Sequence, residues 1–197
     1  MNILSIDVGI INLGYVFCVV GTGTTTGTLG SSITVIDCNK VDITIMRHCN
    51  TPFIECTLHH DNCFPDYLEH FFQEYKEMFT NADIILIERQ PILGITNVQD
   101  LILNKYRDKA LLISPNTIHK HFYMSKNYNT RKKQSEKITN ELLSTNQNYN
   151  MLLRKHDISD AMLLIIYYTQ LNFKKKRKID SIIDLEQFRF NAETKNT

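Results

Sequence analysis

No run of the 197 residues reaches the roughly 18 consecutive apolar positions that a membrane-spanning helix requires. No basic region precedes the first strand-like run, residues 3–6, so the expectation is a chain without a secretory signal. Cysteine is scarce and odd in number: five thiols in no framework spacing predict reduced cysteines in an intracellular protein. Only seven glycines are present, and they form no second glycine-rich phosphate loop. That lack, with the modest length, excludes a two-domain actin-like or sugar-kinase ATPase, although Asp7-Val8-Gly9 after a strand would suit one phosphate loop. No internal repeat is evident.

A large net charge is also missing, but the overall value of +1 hides a strong asymmetry. Residues 1–103 carry 4 basic and 12 acidic side chains, whereas residues 104–178 carry 16 basic and 5 acidic. The final stretch is again slightly acidic. Such a distribution predicts one face for a polyanion and another for water. Hydrophobic content of 43% and charged content of 22% are ordinary globular values. One α/β domain is expected over residues 1–173, with an insert at 48–66 and a basic-then-acidic tail at 174–197.

Residues 3–8 and 14–20 form apolar, β-branched runs, and 33–46 resume strand composition after a Gly/Thr-rich loop at 21–32. Short connections favour antiparallel pairing. Pro65 opens a predicted helix on which Tyr67, Phe71, Phe72, Tyr75 and Phe79 fall at helical spacing, a core-facing stripe. A buried strand at 84–87, a helix at 97–109 and a second buried strand at 110–113 follow, the last stopped by Ser114-Pro115. The remainder is helical at 117–122, 132–143 and 158–173. These elements predict a five-stranded mixed sheet, three antiparallel strands then parallel ones, with helices on both faces. Ligands gather at one end of the central strands in such sheets.

Four carboxylates carry the chemical signal. Asp7 lies in ILSIDVGIINLGYV, Glu88 closes ADIILIERQP, and Asp157 and Asp160 sit three apart in RKHDISDAMLLIIYY. An acid at the end of an apolar run needs a compensating partner. Hard divalent cations, which take oxygen ligands, are the simplest partner common to all four. Asp157 and Asp160 share one face in the first turn of a helix, where the macrodipole also favours negative charge. A capping role alone would account for Asp157 but not for Asp160, which borders the apolar face of Ala161, Leu164, Ile165 and Tyr168. Two ions a few ångströms apart clamp both oxygens of a phosphodiester displacement, so the pattern points to a metal-dependent nuclease. Gly9 and Gly14 bracket the Asp7 turn, either for close approach of a phosphate or as a tight turn.

At these residues the chain resembles the RuvC-type Holliday junction resolvases of the RNase H-like superfamily, most nearly the poxvirus branch. The resemblance is carried by IDVGIINLGYV, IILIERQP, LISP, NTRKKQSEKI and RKHDISDAMLL, in matching order over about residues 3–168. It implies a homodimer that cuts four-way DNA junctions by paired symmetric nicks, leaving 5′-phosphates. It implies two Mg²⁺ per site, with Mn²⁺ able to substitute, held by Asp7, Glu88, Asp157 and Asp160. Lys132 or Lys133 corresponds to a family lysine near the scissile phosphate. A viral relative would work in the host-cell cytoplasm, and a nuclear place is the alternative. Here the Gly/Thr segment and residues 47–66 look longer than the poxviral pattern, and His156 before the aspartate pair is expected to face solvent.

The predicted DNA-binding residues are Lys120, Lys126, Arg131, Lys132, Lys133 and Lys137, whose contacts to phosphate are sequence-independent and salt-sensitive. His119, His121, Phe122, Tyr123 and Tyr128 interleave with them, and stacking on bases competes with core packing for each ring. The KKKRK run from Lys174 to Lys178 suits a DNA arm, an import signal or a solvated helix end. Cys49, Cys56, His59, His60 and Cys63 offer ligand types suited to structural zinc, in a spacing that matches no standard finger. Two rival functions stand beside junction resolution: another RNase H-like nuclease acting on RNA–DNA hybrids or branched DNA, and a non-catalytic DNA-binding module.

Overall fold

Along the first strand, Asn2–Asp7 (β1), alternate side chains enter two different cores, because successive residues of a strand point to opposite faces. Leu4 and Ile6 join one cluster, and Ile3 joins the other. A strand apolar on both faces must lie in the middle of a covered sheet. The computed structural model, which describes residues 1–25, 28–45 and 63–172, places it there. The sheet order is β3-β2-β1-β4-β5, where β2 is Leu13–Thr25, β3 Thr28–Val41, β4 Ile84–Glu88 and β5 Ala110–Ile113. The pairs β1/β2 and β2/β3 are antiparallel, whereas β1/β4 and β4/β5 are parallel. The expected five-stranded mixed sheet is therefore present.

One face is covered by α1 (Phe64–Glu74), α2 (Lys76–Asn81) and α3 (Thr96–Lys105). The aromatic stripe after Pro65 is core, as its spacing indicates. Phe71 and Phe79 meet edge-on at 5.5 Å, and Phe79 stacks on Tyr106 at 4.8 Å. Each such pair contributes roughly 0.5–1.5 kcal/mol beyond its burial. The stripe spans two helices rather than one, because Tyr75 leaves helical geometry at φ −103°, ψ 24°. The other face carries α4 (Pro115–His121), α5 (Tyr128–Leu143), α6 (Gln147–Met151) and a last helix, α7, at 156–172. Ile158, Ala161, Met162 and Ile165 of α7 are wholly buried.

Several boundaries differ from the sequence reading; the strand expected to reach residue 46 ends at Val41, and a 3-10 turn at Ile43–Ile45 follows it. The Gly/Thr segment is not a loop: β2 and β3 pair through it as far as Thr25 opposite Thr28. Threonine is β-branched and suits an extended ladder, which outweighs the interspersed glycines. The helix expected at 97–109 ends at Lys105; Lys109 instead donates to the Phe79 and Ala82 carbonyls at 2.8 and 2.9 Å, tying off α2. Helix α5 starts earlier than expected, since Asn127 caps it by accepting from the Thr130 amide.

The bulk of the 48–66 insert, with Cys49, Cys56, His59 and His60 of the zinc candidate, lies outside the described residues, as do Lys174 to Lys178 and the rest of the tail. Cys63 is described and is a free thiol just before α1. No helix among the described residues is long and apolar enough to cross a membrane.

Candidate active site

Parallel pairing of β1 with β4 sets Ile6 beside Ile87, so Asp7 and Glu88 come next at the same end of two central strands. Period-two alternation puts both on the face of Ile3, Ser5 and Leu86, beneath α7. Their carboxyls share a hydrogen bond. Burial, reinforced by the charge of Glu88, pushes the Asp7 carboxyl well above the usual carboxylate range. Burial also raises Glu88, although the bond from Asp7 works the other way and favours its ionised form. Gln90 steadies Glu88 by donating Nε2 to Oε2 at 3.1 Å, and the buried Gln99 accepts from the Gln90 amide at 2.7 Å.

The second half of the constellation arrives on α7. Ser5 Oγ donates to the Ala161 carbonyl at 2.7 Å, fastening β1 to this helix. Gly14, opposite Asp7 in the β1–β2 ladder, makes the approach possible: a Cβ there would lie 2.4 Å from the Asp157 carbonyl oxygen. Gly14 thus serves the contact between β2 and α7. A Cβ on Gly9 would lie 2.4 Å from the Asn12 carbonyl, so Gly9 serves the turn itself.

Asp160 acts electrostatically on both Asp7 and Glu88, and its carboxylate pairs with Lys132 of α5. Burial works against the Lys132 ammonium, but Asp160, helped by Asp7, outweighs it and holds the pKa above the ordinary lysine value. Of the two lysine candidates, Lys132 faces the acids, and Lys133 points elsewhere. Asp157, 3% exposed, lines the same cleft as Asp7 but is held by Arg154 through two hydrogen bonds of 2.6 and 3.1 Å. That bond raises the Arg154 pKa further.

His156 does not face solvent as expected. Its Nδ1 lies 2.9 Å from Asp157 Oδ1 without hydrogen-bonding alignment, and burial lowers its pKa.

Asp7, Glu88, Asp160 and Lys132 are thus brought together at one end of the sheet, with Asp157 on the adjoining wall. A cleft of about 410 Å³ opens there, lined by Asp7, Gly9, Asn12, Lys132, Arg154 and Asp157 among others. Among the described residues no three acid, histidine or cysteine side chains already stand in metal-binding arrangement. Asp160 and Asp157 are turned onto Lys132 and Arg154 instead. The donor chemistry nevertheless fits divalent cations: every acid offers hard oxygen, and Asp7 and Glu88 are both held above the ordinary carboxylate range, which a bound cation would reverse. Arg154 and Gln90 have no part in the sequence reading, although both lie in the runs that carry the acids. Arg154 precedes the first turn of α7 and reaches Asp157 from outside the helix.

The basic candidates split between two places. On α5, Lys133 and Lys137 line a separate groove of about 360 Å³ with Glu136, Asn140, Tyr149 and Lys155. Lys120 and Lys126 are exposed on and after α4, and the Arg131 guanidinium lies over the Tyr128 ring at 5.6 Å.

No protein-family model matches the chain, and no curated protein matches it in sequence. Solved structures do match in fold. The fowlpox virus resolvase in complex with Holliday junction DNA superposes with a TM-score of 0.57 at 21% identity, covering 86% of this chain and 97% of that one. A second fowlpox virus Holliday junction resolvase structure gives 0.55 at 18% identity, covering 86% and 99%. Thermus thermophilus RuvC gives 0.55 at 12% identity, covering 87% and 97%. Strand order, helical layers and these superpositions agree: the chain has the RNase H-like fold found in the RuvC-type and poxvirus resolvases.

Proposed function

We propose that this protein is a structure-selective endonuclease that resolves four-way DNA junctions by paired symmetric nicks. The observation that carries the reading is the convergence of Asp7 and Glu88, neighbours on parallel strands, with Asp160 and Lys132 from two helices. Such a cluster of buried acids beside a lysine suits hydrolysis of a phosphodiester. The likeness to structures solved with junction DNA, though at low identity, supports the choice of a branched substrate.

Asp7, Glu88, Asp157 and Asp160 are the residues that would hold two divalent cations, Mg²⁺ in the first instance with Mn²⁺ able to replace it. When bound, such ions make a water nucleophilic near neutral pH and neutralise charge on the departing 3′ oxygen. The chain itself supplies the rest. Asp7, ended on a rigid central strand, fixes where the scissile phosphate sits. Gln90 keeps Glu88 from rotating away. Lys132 retains its proton at Nζ and offsets charge on the phosphoryl oxygens once Asp160 is engaged elsewhere. Arg154 plays the matching part toward Asp157. Lys120, Lys126, Arg131, Lys133 and Lys137 contact the backbone of the arms.

A homodimer would set two such sites against the two symmetric strands of one junction, which is what paired nicking requires. The deciding experiment offers a labelled four-way junction, a linear duplex and an RNA–DNA hybrid to the protein in Mg²⁺. Paired nicks with 5′-phosphate ends on the junction alone are expected. Cleavage of the hybrid instead would transfer the reading to an RNase H-type nuclease, and salt-sensitive binding without cutting in any divalent ion would leave only a binding module.

A further inference from the structure

Tyr123 stands in a backbone conformation that a side chain makes costly. Its φ is +52°, the left-handed region, and it is the one non-glycine residue among those described with positive φ. The conformation closes α4: the Met124 amide bonds back to the His119 carbonyl at 2.8 Å, and the Tyr123 amide to Lys120 at 3.3 Å. Glycine or asparagine is the usual occupant of such a helix end, because neither strains there as tyrosine does.

Among the described residues, no side-chain contact of Tyr123 offsets that strain. The Tyr123 ring is 92% exposed, and it has no hydrogen bond, ion pair or ring contact among the described residues. Its neighbours behave in the opposite way. Phe122 and Met124 both pack against the core beneath α7. The segment is pinned rather than loose, for Gln134 of α5 accepts the Ser125 amide at 2.8 Å. An outward-facing phenol ring on a pinned backbone is the result.

The other rings of this region are already engaged. His121 meets Phe122 at 4.8 Å and Tyr167 at 5.0 Å, and its Nε2 bonds Gln170. Tyr128 lies under both Arg131 and Lys132. Lys120 and Lys126, both exposed, flank Tyr123 in the chain, and His119 of the same helix lines a small crevice with Glu88 and Asp160. The free ring therefore falls between two cations in the chain, just after the helix that borders the carboxylates.

We propose that Tyr123 is a stacking platform for an unpaired DNA base at an opened branch point, with Lys120 and Lys126 holding the adjoining phosphates. The idea rests on the nuclease reading above and adds the element that would favour branched over fully stacked DNA. Aromatic faces accept any base, so the selection would be for exposure of a base and not for its identity.

The test uses the full chain and a four-way junction carrying 2-aminopurine, a fluorescent adenine analogue, beside the branch point, in Ca²⁺ to suppress cutting. Wild-type protein is expected to change the probe's emission on binding. Tyr123→Gly is expected to lose that change and to bind the junction about tenfold more weakly, while melting at the same or a higher temperature. Tyr123→Trp is expected to keep both properties. Equal binding and equal emission for Tyr123→Gly would overturn the proposal, as would a clearly lowered melting temperature, which would assign the ring to the fold. A wild-type protein that fails to bind the junction at all would overturn the nuclease reading as well, so the two failures are distinct.

Discussion

Replacing Asp7 by asparagine is expected to stabilise the metal-free protein while abolishing its cleavage. Asp7 is 8% exposed, shares a hydrogen bond with Glu88 and feels the charge of Asp160. Two like charges about 4 Å apart repel by about 4 kcal/mol at an effective dielectric near 20. Lys132 relieves part of this, so replacing a carboxyl whose ionisation the fold disfavours by a neutral amide is expected to yield about 1–3 kcal/mol. At roughly 2–4 °C per kcal/mol for a chain of this size, the melting temperature in EDTA should rise by about 2–12 °C. The pH dependence follows with its sign. A carboxyl whose folded pKa is raised contributes stability that is complete below its unfolded pKa, near 3.8, and lost as pH rises through the folded value. Wild-type protein in EDTA should therefore lose stability from about pH 4 upward, and the asparagine variant should lose less. Saturating Mg²⁺ or Mn²⁺ should raise the wild-type melting temperature and do little for the variant. The assay is thermal melting across pH with and without each ion. A variant that melts lower than wild type in EDTA, or a wild type indifferent to both ions, would refute the reasoning.

Four further outcomes test other parts of the site. Lys132→Met leaves Asp160 without its partner and should lower stability by about 1–2 kcal/mol and junction cleavage by about a hundredfold or more; Lys133→Met, measured beside it, should leave the cleavage rate at saturating DNA within about twofold. Gly14→Ala sets a methyl group against the Asp157 carbonyl, and urea unfolding should show a loss of about 2–3 kcal/mol; an unchanged midpoint would mean that α7 does not rest on β2 as described. Neutralising Lys133, Lys137 and Lys155 together should reduce the salt slope of junction binding by about two to three units, whereas an unchanged slope would remove their groove from the DNA path. Arg154→Gln should destabilise by about 1–3 kcal/mol because Asp157 stays buried without its two hydrogen bonds, and added Mg²⁺ should restore part of that loss in a melting experiment.

Much of this protein was legible before folding, because the relevant rules are local. Alternation in 3–8, the buried run at 84–87 and the aromatic stripe after Pro65 each declare a period, and period determines which residues are inside. The carboxylates were visible because acids at the ends of apolar runs contradict their surroundings. Local rules fail where two conformations compete closely. The Gly/Thr segment reads as a loop until a second strand of the same composition pairs with it, and Tyr75 interrupts a helix whose spacing continues past it. His156 and Arg154 likewise gave no sign of their places, since nothing in their immediate neighbours says that β2 lies against the first turn of α7.

What the order of residues determined alone was the inventory: strands, helices, four acids and a basic half of the chain. Which of those acids meet was decided only by the tertiary structure, through parallel registry of β1 with β4 and the passage of α7 over Gly14. It also decided that Lys132 turns inward while Lys133 turns out, and that Tyr123 is left bare. The physical reason is that register, close approach and burial depend on contacts between segments far apart in the chain, and such contacts leave no periodic trace in the sequence.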